Sequence, residues 1–175
     1  MHLVPWTVPA VPVQTSFLDR SGIAFIGNFA HAPNADAVRW LVNEIMPLVW
    51  ETEPDLRCLI AGSDMSEDLH RQLARPGVTL LGRVERVSEV FEQARLTIAP
   101  LRFGAGLKDK VLRSMAAGLP CVGTSEAFAG MQGLPVAITG ACRRDTAPRF
   151  GRGHRQDALR RSCQCELCTN GVEIY

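Results

Sequence analysis

No apolar run in this sequence approaches the roughly 18–20 residues that a membrane-crossing helix requires. Net charge is nearly absent as well. The 19 lysines and arginines against 18 aspartates and glutamates leave +1, so no whole-molecule field favours nucleic acid or an anionic membrane. The opening stretch MHLVPWTVPAVPVQTSF lacks a basic leader. Its Pro5, Pro9 and Pro12 would interrupt the apolar helix of a signal peptide, so no secretory signal is expected and the chain is expected to be cytoplasmic. Three common catalytic signatures are missing too: a Gly-x-Ser-x-Gly elbow, a His-Glu-x-x-His pair and a Walker loop with its Lys-Ser/Thr. Their absence argues against an α/β-hydrolase, a zincin protease and a P-loop ATPase.

What remains is ordinary soluble composition, 46% hydrophobic and 21% charged, in a 175-residue chain long enough to bury one core. The six cysteines divide unevenly. Cys58 and Cys121 sit in apolar runs and read as small buried hydrophobes. Cys142, Cys163, Cys165 and Cys168 fall late in the chain. The CQCELC run resembles half a metal site with His154 upstream, but a second ligand pair at zinc spacing is missing.

From residue 22 to about 125 apolar runs and helical periods alternate. Strands are expected at 23–28, 57–63, 78–84, 96–101 and 120–124. Helices are expected from Asn34, a candidate N-cap, to about residue 51, then at 66–74 with Ser66 as cap, 87–94 and 107–117. Such alternation means βαβ units and a parallel sheet. Continuously apolar strands mean that both sheet faces are covered. The expected fold is α/β, a doubly wound, Rossmann-like domain over 22–135. Residues 1–21 are expected to form a linker of interdomain type. Residues 136–175 are expected to form an irregular Arg/Cys-rich tail, with a short strand at 135–139 at its edge. From Ala141 onward it holds seven arginines and no lysine. It is either a disordered basic tail or the translation of a GC-rich gene out of frame, which the other reading frames of the coding DNA would test.

In a doubly wound sheet a ligand binds where the strand order reverses, here between the first and fourth strands. The loops GNFAHAPN (27–34) and LRFGAG (101–106) would meet there. Gly104 and Gly106 allow close backbone approach. Lys108 and Lys110 open a helix whose dipole disfavours them unless an anion is bound, and Arg102 adds a third cation. Together these residues point to a phosphate site. The alternative is a plain turn with solvated lysines. Gly27 and Asn28 form the turn after strand one. His31 can donate to a phosphate or simply stand exposed, and Val84, at the end of strand three, can flank a base. Trp40 and Trp50 read as packing residues.

These residues carry a resemblance. IAFIGNFAHAPNADAVRWLVNEIMPLVW, RCLIAGS, VTLLGRV, LTIAPLRFGAGLKDKVLRSMAAGLPCVGT and AFAGM follow in the order of the C-terminal, nucleotide-sugar-binding domain of a GT-B glycosyltransferase of the group 1 (family 4) type. The likeness covers residues 3 to 134. It implies a nucleoside-diphosphate sugar as ligand, no metal cofactor, and glycosyl transfer to an acceptor held by a second Rossmann-like domain. By position, Gly27 and Asn28 would face the diphosphate, Arg102 and Lys110 would neutralise it, the 104–108 backbone would support it, and Val84 would lie against the base. Many members hold the ribose hydroxyls with a glutamate at the position of Arg113, and a guanidinium cannot accept those bonds. An earlier glutamate position is Ala105.

The sequence shows no acceptor domain and no C-terminal helix crossing back to one. The expected protein is thus a truncated family member, inactive in transfer as an isolated chain. Two alternatives stand beside it. One is a non-enzymatic nucleotide-binding module, or half-enzyme, that associates with a separate acceptor-domain chain. The other is nucleic-acid or zinc binding through the tail, against which the lack of interleaved aromatics and of full ligand spacing argues.

Overall fold

The computed structural model describes residues 8–9, 12–131 and the backbone of 139–142. Six parallel strands form one sheet: β1 (Gly22–Ile26), β2 (Arg57–Ala61), β3 (Val78–Gly82), β4 (Ala94–Ala99), β5 (Cys121–Thr124) and β6 (Thr139–Cys142). Their spatial order is β3-β2-β1-β4-β5-β6, so the order reverses between β1 and β4, as the alternation requires. The register places Ala24 beside Leu59 on one side and Thr97 on the other.

Successive strand residues point to opposite faces, and both faces are apolar. Ile23, Phe25, Cys58 and Ile60 pack with Val38, Leu41, Val42 and Ile45 of the first helical segment and with Leu69 and Leu73. Ala24, Leu59 and Ala61 face the other way, onto Val90 and Phe91. Burying each large aliphatic side chain stabilises the fold by about 2 kcal/mol. Cys58 and Cys121 are buried and unpaired, as expected of small hydrophobes.

The first helical segment is α1 (Ala32–Trp40), a π-helical turn (Leu41–Ile45) and α2 (Met46–Trp50). The wide turn falls just before Pro47, whose missing N–H and ring are incompatible with an unbroken α-helical ladder. Arg75 donates to the turn's Val42 carbonyl at 3.2 Å and to Asn43 Oδ1 at 2.7 Å. The remaining helices are α3 (Glu67–Leu73), α4 (Val87–Phe91) and α5 (Asp109–Ala116). Ser66 caps α3 as expected, its hydroxyl accepting from the Leu69 amide at 3.1 Å.

One expectation is corrected. Asn34 is not an N-cap: α1 starts at Ala32 with a proline in its first turn, His31 takes the cap position, and the Asn34 side chain turns to other partners. β6 lies at Thr139–Cys142, paired parallel to β5; the short strand expected at 135–139 falls, apart from Thr139, outside the described residues. The tail beyond residue 142, with His154, Cys163, Cys165 and Cys168, lies outside the described residues.

The described part of the 1–21 segment is docked on the domain. Glu92 accepts from the Gln14 and Thr15 amides at 2.9 and 2.7 Å, and the Arg20 and Arg95 guanidinium carbons lie 5.5 and 5.4 Å from the centre of the Phe17 ring. The Thr15 side chain, with those two amides, holds the Glu92 carboxyl below its usual range.

Candidate functional site

Each of the first three strands ends in a glycine-bearing turn, and these turns are bonded to one another. The Gly27 amide donates to the Ala61 carbonyl at 3.1 Å, Gly62 to Gly82 at 2.8 Å, and Phe29 to Ser63 at 2.9 Å. Only glycine fits at position 62. Its φ is +155°, and a Cβ there would stand 1.7 Å from the Gly27 carbonyl oxygen. The packing of these three turns is therefore set by close backbone contact.

The loop after β1 and the loop after β4 meet at the reversal point through side chains. Asn34 Nδ2 donates to the Asn28 carbonyl at 2.7 Å, and Asn34 Oδ1 accepts from Lys110 Nζ at 2.5 Å. Asn28 Oδ1 in turn accepts from the Ala30 amide at 2.8 Å, closing the turn. The Lys110 ammonium also lies 4.3 Å from the centre of the Phe25 ring, a cation–π contact from β1. Burial, with Lys108 as a neighbouring like charge, lowers the Lys110 pKa to about 8 against the opposing influence of Cys121.

The other two cations are already engaged. Lys108 is buried and donates to the Gly106 carbonyl at 2.7 Å and the Gly104 carbonyl at 3.3 Å, tying down its own loop. Gly104 and Gly106 have φ of +141° and +74°, which favour glycine, and their loop carries the exposed Phe103 and Leu107. Arg102 forms a two-point ion pair with Asp36, with one bond of 2.9 Å, and stacks 5.4 Å over Trp40. The carboxylate bonds raise the Arg102 pKa further.

His31 is exposed, and its side chain makes no cap bond. Val84 lies in the apolar cluster with Ile26 and Val87 on the α4 face, on the far side of β2 from the Lys110 contacts. Arg113 is exposed and pairs with Asp109 at 2.6 Å, one turn earlier on α5. The residues missed in the sequence are the neutral partner Asn34, the anion Asp36 and the ring of Phe25. A pointer to Asn34 was present, since the first turn of the helix after β1 must cross the reversal point.

The sequence model described as glycosyl transferases, group 1, matches residues 20–141. The chain belongs to this family. A curated relative is an uncharacterized 44.6 kDa protein in a cps region of Klebsiella pneumoniae, 25% identical over 134 residues, covering 69% of this chain and 34% of that protein. Among solved structures, TarM superposes with a TM-score of 0.60 at 13% identity, covering 89% of this chain and 30% of TarM. A glycosyltransferase from Rickettsia africae gives 0.57 at 11% identity, over 89% of this chain and 40% of that one. HepE from Anabaena, solved with UDP and glucose, gives 0.52 at 12% identity, over 75% and 36%. These likenesses show a Rossmann-like α/β domain of the kind found in GT-B glycosyltransferases. The chain spans about a third of the curated relative's length. Among the described residues no helix is long and apolar enough to cross a membrane.

Proposed function

We propose that this group 1 glycosyltransferase domain binds a nucleoside-diphosphate sugar at the β1/β4 reversal point. The observation that carries the reading is Lys110. It is a largely desolvated ammonium in the first turn of α5, held between Asn34 and the Phe25 ring, beside the Gly104–Gly106 loop and the Gly27–Asn28 turn. A diphosphate there would meet free N–H groups of a helix start and a cation whose hydrogen-bond acceptor, the Asn34 amide oxygen, is neutral. In this reading Lys108 supports the anion by shaping the Gly104–Gly106 loop. Arg102 contributes once it exchanges Asp36 for phosphate. His31 stands at the rim, and Val84 lines the side facing the base. The UDP of HepE and the UDP-2-fluoro glucose of the trehalose-6-phosphate protein from E. coli support a nucleotide sugar as the ligand class.

Glycosyl transfer itself would need a second wall to hold the acceptor and exclude water. We propose that a separate acceptor-binding domain or chain supplies it, because this chain corresponds to 30–40% of its structural relatives.

Calorimetric titration with UDP, GDP and their sugar conjugates tests the binding step. Micromolar affinity is expected, weakened at least about tenfold by Lys110→Ala, the effect of losing one charge-assisted contact. A folded wild-type chain that binds none of these ligands would overturn the reading.

A further inference from the structure

We propose that Asn34 is a positioning residue of this site, which orients the Lys110 ammonium through a neutral acceptor and so leaves its charge available to an incoming anion. This rests on the nucleotide-sugar reading above for the identity of the anion, but its local part stands on geometry alone.

The orientation of the Asn34 amide follows from its partners. Lys110 can only donate, and the Asn28 carbonyl can only accept, so Oδ1 must face the ammonium at 2.5 Å and Nδ2 the carbonyl at 2.7 Å. A flipped amide would lose both bonds. Asn34 therefore bridges the turn after β1 to the first turn of α5, and ties the two loops of the site to one another. Three cations stand at this point, with three kinds of partner. Arg102 is neutralised by Asp36, and Lys108 is committed to two carbonyls of its own loop. Lys110 is held by an amide and an aromatic ring, which hold it in place without cancelling its charge.

The ionisable groups that bear on Lys110 are Lys108 in the preceding loop, whose like charge disfavours a second ammonium, and the Cys121 thiol on β5. Burial holds the Cys121 thiol up at about 11, so it is neutral near pH 7 and compensates nothing there. A carboxylate in place of Asn34 would do what the chain otherwise avoids. It would pair with Lys110 inside the site and set its second oxygen against the Asn28 carbonyl.

The test compares Asn34→Asp and Asn34→Ala with wild type in the full chain, each checked for an unchanged thermal transition. Two quantities are read. One is the titration of Lys110, followed by NMR of isotope-labelled lysine side chains and assigned by Lys110→Arg. The other is affinity for inorganic pyrophosphate and for UDP. Asn34→Asp is expected to move the Lys110 titration upward, past the ordinary lysine value, and to weaken pyrophosphate at least about tenfold. Asn34→Ala is expected to move it downward and to weaken pyrophosphate by a smaller factor. A Lys110 titration unmoved in both variants would overturn the inference, as would Asn34→Asp binding pyrophosphate as tightly as wild type. If the titration responds as expected while wild type binds neither probe, the positioning role holds and the diphosphate reading fails.

Discussion

Lys110 sits where stability and binding oppose each other. Its ammonium is withdrawn from water, and its pKa falls to about 8 from an ordinary 10.5. Below pH 8 the group is charged in both the folded and the unfolded chain, so the whole cost of burying the charge is present. Between pH 8 and 10.5 the folded chain sheds the proton first, the unfolded chain binds more protons, and that cost is relieved as pH rises. Lys110→Met is therefore expected to raise thermal stability near pH 7 by about 1–3 kcal/mol, after allowance for solvent screening, while weakening UDP binding at least about tenfold. Denaturant unfolding alongside titration with UDP would check both halves. The same titration makes UDP affinity in the wild type fall above pH 8, with proton uptake on binding that appears as a buffer dependence of the calorimetric heat. At Arg113 the guanidinium pairs with Asp109 in place of the glutamate that many group 1 members carry there. Arg113→Glu is expected to strengthen UDP binding several-fold by supplying an acceptor for ribose hydroxyls, at about 0.3–0.5 kcal/mol of helix stability from the new like-charge pair with Asp109. No gain in affinity would place the ribose elsewhere.

At the scale of elements, the strand-end turns divide into those packed on one another by close backbone contact and those that shape the ligand's surroundings. A Cβ at Gly62 would collide with the Gly27 backbone, whereas nothing lies within 4 Å of one at Gly106. Gly62→Ala is expected to cost at least about 3 kcal/mol in chemical denaturation, through backbone displacement as well as strain. Gly106→Ala is expected to cost only about 1 kcal/mol, the strain of φ at +74°, yet to weaken UDP binding by moving the carbonyl that holds Lys108. Equal stability losses for the two would contradict this division. The strands and helices were legible from periodicity because each strand is apolar on both faces and each helix carries one buried stripe. Their ends were less legible. β2 and β3 stop two residues early, at Gly62 and Gly82, whose φ of +155° and +63° turn the chain into a hydrogen bond between neighbouring loops. β1 and β4 stop two residues early before Gly27 and Pro100. The break of the first helix into a π-helical turn was also unread. Pro47 signals a break, but its form depends on Arg75, far along the chain, which binds the turn's carbonyl.

At the scale of the whole molecule, the described residues form one Rossmann-like sheet domain, which the proposed function makes one wall of a cleft. The described residues include the β1/β4 crevice and exposed Phe103 and Leu107 on its rim. The isolated chain is expected to bind a nucleotide sugar and to transfer nothing from it. Turnover assays with UDP- and GDP-sugars would check this, first alone and then with a candidate acceptor-domain chain added. Sugar release above the uncatalysed rate by the chain alone would contradict the need for a second wall.

The amino-acid order was enough for the family, the parallel sheet and the reversal point, because strand–helix alternation and a glycine- and lysine-bearing loop are local patterns that survive without coordinates. It was enough also to mark Arg102, Lys108 and Lys110 as cations near one another. It could not assign them separate roles. That depended on which acceptor each one reached: a carboxylate 66 residues away for Arg102, its own loop for Lys108, and an amide 76 residues away for Lys110. Such partners are set by how α1 and α5 pack across β1 and β4, and a pairing over that separation leaves no periodic trace in the chain.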